Sequence, residues 1–327
     1  MIFRHPYTRI QRNKRHHWIR EMFAENHIQR SQLILPIFVK EGESISISSM
    51  PSVNVLSVDL CVEMVKKAYD QGICAVALFP RIDSSLKDEM GSYALSPNNL
   101  ICKTIAILKK AVPKIGVIAD IALDPYTTHR HDGVLDNEGF IDNDKTIEIL
   151  AKQALILADS GCDILAPSDM MDGRVFAIRS IFEKHKFSNV QIFSYSAKYA
   201  SILYKPFRDA INSGNCLDQI DKKHYQLNPA NINDAVKKVK LDISEGADAV
   251  IVKPALFYLD VVREIKREHP IPVIAYQVSG EYAMLKIAAE HGLYSYEDAQ
   301  IEFLLSCKRA GASCIMTYGA LEIASLL

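Results

Sequence analysis

Eight short apolar runs, rich in β-branched residues, recur along the chain at 33–39, 73–79, 115–120, 163–166, 190–194, 249–253, 273–276 and 314–318. They are nearly continuous rather than alternating, the pattern of strands covered on both faces. Between them, apolar positions recur at helical spacing. Residues 58–70 carry Leu60, Met64, Val65 and Ala68 along one stripe, and 144–160 and 296–310 repeat the pattern. Gly72, Gly161, Gly246 and Gly311 follow such stretches, where a left-handed residue closes a helix. Strand then helix, eight times over, predicts an α/β protein, a closed TIM (β/α)8 barrel. An open doubly wound sheet is the alternative, weakened because no G-x-G-x-x-G follows the first strand.

Two segments stand outside this rhythm. Residues 1–30 are basic and aromatic and read as an extended N-terminal arm that packs on another subunit; 31–327 are the barrel. Residues 199–228 form a long, weakly patterned connection, a length usual for an active-site lid. Composition adds exclusions. With 49% apolar and 24% charged residues and a formal net charge of -1, the chain has no overall pull toward nucleic acid or membrane. No apolar run is long enough to span a bilayer, and no apolar leader follows Met1. The seven cysteines include no C-x-x-C pair, so free thiols in a reducing cytoplasm are expected.

Barrel enzymes carry their chemistry at the carboxyl ends of the strands. Those ends deliver Asp120, Ser168, Lys198, Lys253, Tyr276 with Ser279, and Tyr318. Lys253 closes the apolar run Ala249-Val-Ile-Val252. Burial there penalises the ammonium, and a second cation nearby penalises it further. A free lysine titrates at about 10.4 and is unreactive at neutral pH. Two lysines facing one cavity ease that problem, and a neutral amine can then form a Schiff base with a ketone. A lone strand-end lysine reads equally as a solvated or ion-paired group; two on neighbouring strands favour chemistry.

The stretches Phe193-Ser-Tyr-Ser-Ala-Lys198-Tyr-Ala-Ser, Pro206-Phe-Arg208-Asp-Ala, Val252-Lys253-Pro254, Ala275-Tyr-Gln-Val-Ser-Gly-Glu-Tyr-Ala-Met284 and Ala166-Pro-Ser-Asp-Met-Met-Asp-Gly-Arg174 resemble those of the porphobilinogen synthases, also called delta-aminolevulinic acid dehydratases. Ser49-Met-Pro51 and Asp124-Pro-Tyr-Thr-Thr-His-Arg-His-Asp-Gly133 fit the same family, and the likeness runs from about Arg4 to Tyr318. The resemblance implies a lyase of tetrapyrrole and heme biosynthesis. It condenses two 5-aminolevulinate molecules, asymmetrically and with loss of two waters, to porphobilinogen. By the same resemblance, Lys253 binds the first substrate and Lys198 the second. Ser279 and Tyr318 hold the first carboxylate; Arg208, Lys222 and Gln226 hold the second. Lys222 stands where many relatives have arginine, so the bidentate fork is lost. Asp120 and Ser168 are candidate acid–base groups, and Tyr276 lines the first site.

Many of those relatives bind a catalytic zinc through three cysteines after the third strand. Ala122, Asp124 and Asp132 occupy those places here, so a non-zinc type is expected. Asp124 and Asp132, with His129 and His131 nearby, suit either a hard cation or a charged hydrogen-bonded network; the network is the favoured reading. The glutamate that organises an activating magnesium in relatives is Lys238 here, fifteen residues before Lys253, so that magnesium site is expected to be lost. No organic cofactor is expected, and a monovalent-cation requirement is left open. His16 and His17, beside Trp18, read as packing residues of the arm. The arm implies a homo-oligomer, an octamer or, without the magnesium, a hexamer. Two rivals are a class I aldolase acting on a sugar phosphate and a non-catalytic barrel. The strand ends Tyr276-Gln-Val-Ser279 and Tyr318-Gly-Ala320 suit a carboxylate better than a phosphate.

Overall fold

The computed structural model describes residues 4–212 and 221–327. Eight strands lie parallel in chain order: β1 Leu33–Lys40, β2 Ala75–Pro80, β3 Gly116–Ile121, β4 Ile164–Pro167, β5 Gln191–Lys198, β6 Ala249–Lys253, β7 Val273–Tyr276 and β8 Cys314–Met316. β8 returns to pair with β1 (Leu33 opposite Ile315, Ile34 opposite Met316), which closes the expected α/β TIM barrel. β6, β7 and the helices Val58–Asp70 and Tyr296–Ala310 fall where the sequence pattern places them. Gly72, Gly161, Gly246 and Gly311 all have positive φ.

Most strand ends shift by one or two residues, and three differences stand out. β5 runs on to Lys198 rather than stopping at Ser194, because its ladder to β6 resumes after an irregularity between Ser194 and Ala197. β8 ends at Met316, two residues early. A short antiparallel pair, Ile45–Ser46 with Asn54–Ser57, extends the sheet beside β1; two- and four-residue strands are too short to give a period. Within 199–228 the chain forms single turns at Ile202–Tyr204 and Lys222–His224 and a helix at Lys205–Ala210; residues 213–220 lie outside the described residues. The arm holds a turn at Ile10–Lys14 and a helix at His17–Met22, with Tyr7, Ile10, Trp18, Met22 and Phe23 exposed. Among the described residues, no helix is long and apolar enough to cross a membrane.

Period-two alternation sorts each strand into two layers. Leu33, Leu35, Ile37 and Val39 pack outward under the helices, as do Val117 and Ala119, Val250 and Val252, and Val273 and Ala275. Ile34, Phe38, Ile118, Ala249, Ile251, Ile274, Tyr276 and Met316 fill the barrel itself. Both layers are apolar, which explains why the runs read as continuous.

Arg174, at the start of the helix Arg174–His185, is fully buried against β5. Its guanidinium donates to Ser194 Oγ (3.0 Å) and to the carbonyl of Tyr195 (3.4 Å), a group in the irregular stretch of β5. Asp242 and Asp169, both buried, lie 3.3 Å from it. Removing one partner of a buried ion cluster leaves uncompensated charge. Arg174→Met is therefore expected to lower unfolding stability by about 3–5 kcal/mol. Urea denaturation measures this directly, and a loss below about 1 kcal/mol would match an exposed pair instead.

Candidate active site

The inward phase of the strands decides which strand-end groups share the mouth. Ala249 and Ile251 point inward, so Lys253 does too. Asp120 follows Ile118, and Ser168 follows Ala166, on the same count. Lys198 is different. Phe193 and Tyr195 face inward, so a regular strand would turn Lys198 outward. The irregularity between Ser194 and Ala197 inserts an extra step: Ala197 packs outward and Lys198 turns inward. Lys198 and Lys253 then stand directly opposite each other across the β5–β6 ladder.

One cavity, open at its mouth, is lined by Asp120, Asp124, Asp132, Ser168, Lys198, Tyr204, Phe207, Arg208, Lys222, Gln226 and Lys253. The sequence-predicted groups are thus brought together, with three exceptions. Ser279, Tyr276 and Tyr318 sit behind the aromatic wall on the Lys253 side. The Tyr276 ring lies 4.6 Å from Lys253 Nζ, and its hydroxyl contacts that of Tyr318 at 3.0 Å. Ser279 Oγ accepts from Phe207 N (2.9 Å) and donates to the carbonyl of Leu203 (3.2 Å).

The two lysines occupy opposite environments. Lys253 Nζ lies among four rings, those of Tyr276, Phe207, Tyr195 and Tyr204, at 4.6 to 5.3 Å, and no carboxylate pairs with it among the described residues. Burial, helped by the Lys198 charge, pushes its amine down to about 7 against the pull of Asp120 and Asp124. Lys198 Nζ donates instead to Asp132 Oδ1 (2.9 Å) and to the Ser168 carbonyl (2.5 Å). The sequence treated the two amines alike; the structure neutralises one and ion-pairs the other.

Asp132 anchors the second half of the cavity. Its other oxygen takes a short hydrogen bond from Tyr225 Oη and lies 2.9 Å from Lys222 Nζ, which also approaches Asp124 at 3.4 Å. Burial alone would raise the Asp132 carboxyl, but Lys198 and Lys222 outweigh it and hold it far below the usual range. Asp120 goes the other way: burial pushes it up to about 7, with Lys253 opposing. Its Oδ1 and Gln226 Oε1 are buried without a hydrogen-bond partner among the described residues, both at the cavity wall. Such unpaired groups mark where a polar ligand would be accepted. Arg208 lines the cavity and makes no ion pair among the described residues; Asp209 instead accepts from Ser49 Oγ at 2.9 Å.

Sequence reasoning missed the aromatic cage and the part of Tyr225 in the charged network of Asp124 and Asp132 that it favours. Tyr195 carries a signal, its inward phase on β5. Tyr204, Phe207 and Tyr225 lie in or beside turns and a helix too short for a period to assign a direction, though Phe207 and Tyr225 adjoin the named Arg208 and Gln226. His131 is buried beside Asp132, and His129 Nε2 donates to the Glu89 carbonyl (3.0 Å); neither lines the cavity.

A family model described as "Delta-aminolevulinic acid dehydratase" matches residues 7–326. A delta-aminolevulinic acid dehydratase of Bradyrhizobium diazoefficiens is 49% identical over 98% of this chain and 90% of its own length. One from Chlamydia pneumoniae is 46% identical over 98% of this chain and 96% of its own. The crystal structure of the Toxoplasma gondii delta-aminolevulinic acid dehydratase, in complex with the reaction product porphobilinogen, matches with a TM-score of 0.96 and 44% identity. That match covers 98% of this chain and 91% of the other. The chain belongs to the delta-aminolevulinic acid dehydratase family, hydro-lyases that condense two 5-aminolevulinate molecules to porphobilinogen in tetrapyrrole synthesis.

Proposed function

We propose that Lys253 captures the first 5-aminolevulinate and Lys198 the second, each as a Schiff base. The observation that carries this reading is the pairing of the two lysines across one ladder in one cavity, with only Lys253 held among rings. The neutral Lys253 amine attacks a substrate ketone and expels water, giving an iminium. At Lys198 the iminium inherits the ammonium's place beside Asp132, so the counter-charge is retained through the chemistry. Loss of a proton from the second substrate's iminium gives an enamine, which attacks the first iminium to form the carbon–carbon bond. The first substrate's amine attacks the second imine carbon and releases Lys198. Elimination then releases Lys253, and a last deprotonation gives the pyrrole. Asp120, held near neutrality, and Ser168 are the acid–base candidates within the cavity.

For the substrate carboxylates we assign Arg208, Lys222 and Gln226 to the second site and Ser279 and Tyr318 to the first. Residues 199–228 act as the lid, residues 1–30 as the oligomer arm and 31–327 as the barrel. The exposed arm aromatics support a homo-oligomer, octamer or hexamer, of a cytoplasmic enzyme. The six described cysteines are unpaired, in keeping with a reducing compartment.

Catalysis without zinc is part of the proposal. No described cysteine lines the cavity, and the Lys222 ammonium spans Asp124 and Asp132, where a hard cation would have to bind. The donor set therefore does not fit zinc. Lys238 likewise donates to Asp172 (2.7 Å) and to the Met171 carbonyl (2.9 Å), with Asp242 at 3.9 Å, supplying a fixed positive charge of its own. Magnesium would meet that ammonium, so the activating site is also absent from this reading.

Pyrrole should form from 5-aminolevulinate in a colorimetric assay, and borohydride should fix label on Lys253 and Lys198 by peptide mapping. Lys253→Met should lower kcat by at least about 10⁴-fold; near-wild-type turnover would remove Lys253 from the chemistry. The acid limb of kcat/KM should rise through about pH 7, since the neutral amine gains as pH rises past the depressed value of Lys253. That limb belongs to the coupled Lys253–Asp120 pair. Asp120→Asn removes a charge that holds the lysine up, so the limb should move to lower pH in a trapping profile; a move to higher pH contradicts the arrangement. Chelator-treated enzyme should keep its activity, and added magnesium should leave it unchanged in a titration.

A further inference from the structure

Nothing so far explains what keeps the Phe207 ring on Lys253. Phe207 belongs to the helix Lys205–Ala210, six residues long, too short to hold itself in place. Its ring lies 4.7 Å from Lys253 Nζ and packs on Phe38 (5.4 Å) and Phe79 (5.3 Å) of the barrel. Ser279 secures the helix's beginning through Phe207 N, and Tyr204 Oη reaches the Lys253 carbonyl at 3.0 Å. The end is secured from the opposite side of the mouth. Arg81 follows β2, fixed there by its own N–H to the Val39 carbonyl (2.7 Å). One guanidinium nitrogen donates to the carbonyls of both Asp209 (2.9 Å) and Ala210 (2.8 Å). These carbonyls terminate the helix, where a cation is favoured; that of Asp209 also takes the Asn212 N–H at 3.3 Å.

We propose that Arg81 is a positioning residue for the condensation, clamping the end of the lid helix so that Phe207 stays over Lys253 and Arg208 stays in the cavity. Arg81 touches no reacting atom; it acts through the helix. The inference rests on the assignment of Lys253 as a Schiff-base lysine. Its consequence is specific. Lys253 faces Asp120, Asp124 and Asp132, the Lys198 ammonium and the Tyr195, Tyr204 and Tyr276 rings; of these only Tyr204 adjoins the helix, as its cap residue. Loosening the helix leaves these charges in place and admits water, so the amine becomes harder to neutralise. A clamp lost for structural reasons alone would not move this titration.

The test uses the full chain carrying Arg81→Met, checked for folding by circular dichroism, with Arg81→Gln as the second variant because its amide is too short to reach the carbonyls. Borohydride trapping of 5-aminolevulinate is mapped by peptide across pH. The midpoint of labelling at Lys253 should move to higher pH. At neutral pH, kcat/KM should fall by about tenfold or more, with KM raised. Amide exchange across 205–211 should accelerate at least about tenfold. Phe207→Leu should give the same alkaline displacement, and adding Arg81→Met to it should produce little more. An unmoved Lys253 midpoint in folded Arg81→Met or Arg81→Gln, or displacements that simply add in the double variant, would overturn the clamp. Absence of label on Lys253 in the wild type would instead strike the Schiff-base assignment. Exchange across 205–211 then still judges the clamp: acceleration supports it and an unchanged rate removes it.

Discussion

An ammonium cannot attack a ketone, and in the proposed reading the mouth of this barrel is organised around that constraint. Lys253 ends an apolar strand, so one side of its amine is dry by default. The remaining sides are closed by rings from three different places: Tyr195 on β5, Tyr276 on β7, and Tyr204 and Phe207 on the connection that crosses the mouth. Aromatic faces attract a cation weakly compared with the water they replace. The balance therefore falls toward the neutral amine, with Asp120 as the moderating charge nearby. No single element achieves this; the cage exists only when the connection lies on the barrel.

The second lysine shows the opposite solution to the same demand. Lys198 remains paired with Asp132, and Asp132 is itself fixed by Lys222 and Tyr225. Two identical substrates must play unlike roles, and an enzyme with two equivalent amines would have no basis for distinguishing them. Here one amine is pushed down toward neutrality by desolvation and the other is held by a counter-ion. The polarity of the cavity follows: aromatic toward β6 and β7, ionic toward the loop after β3. Holding both reactants in that asymmetric field is largely an orientation effect.

The supporting structure is concentrated on β5. Its irregularity turns Lys198 inward, and the Tyr195 carbonyl in that stretch is taken up by buried Arg174, which Asp169 and Asp242 compensate. Lys238 adds another fixed cation to the edge of this cluster. This charge network is built from side chains, at a desolvation cost met by mutual pairing.

The sequence by itself determined the barrel and most of the cast. Eight continuous apolar runs with glycine-closed helices leave few other folds, and although both faces of each strand are apolar, the runs set Asp120, Ser168 and Lys253 at strand ends. Those are local periodicities, written into adjacent residues. What only the tertiary structure decided is non-local. An irregularity in a ladder depends on the partner strand, so the inward turn of Lys198 could not be counted from β5 alone. The directions of Tyr204, Phe207 and Tyr225, in chain without a period, are set by the surfaces they land on. The unequal charge states of the two lysines follow from those placements, because desolvation and ion pairing are properties of neighbours that lie far apart along the chain.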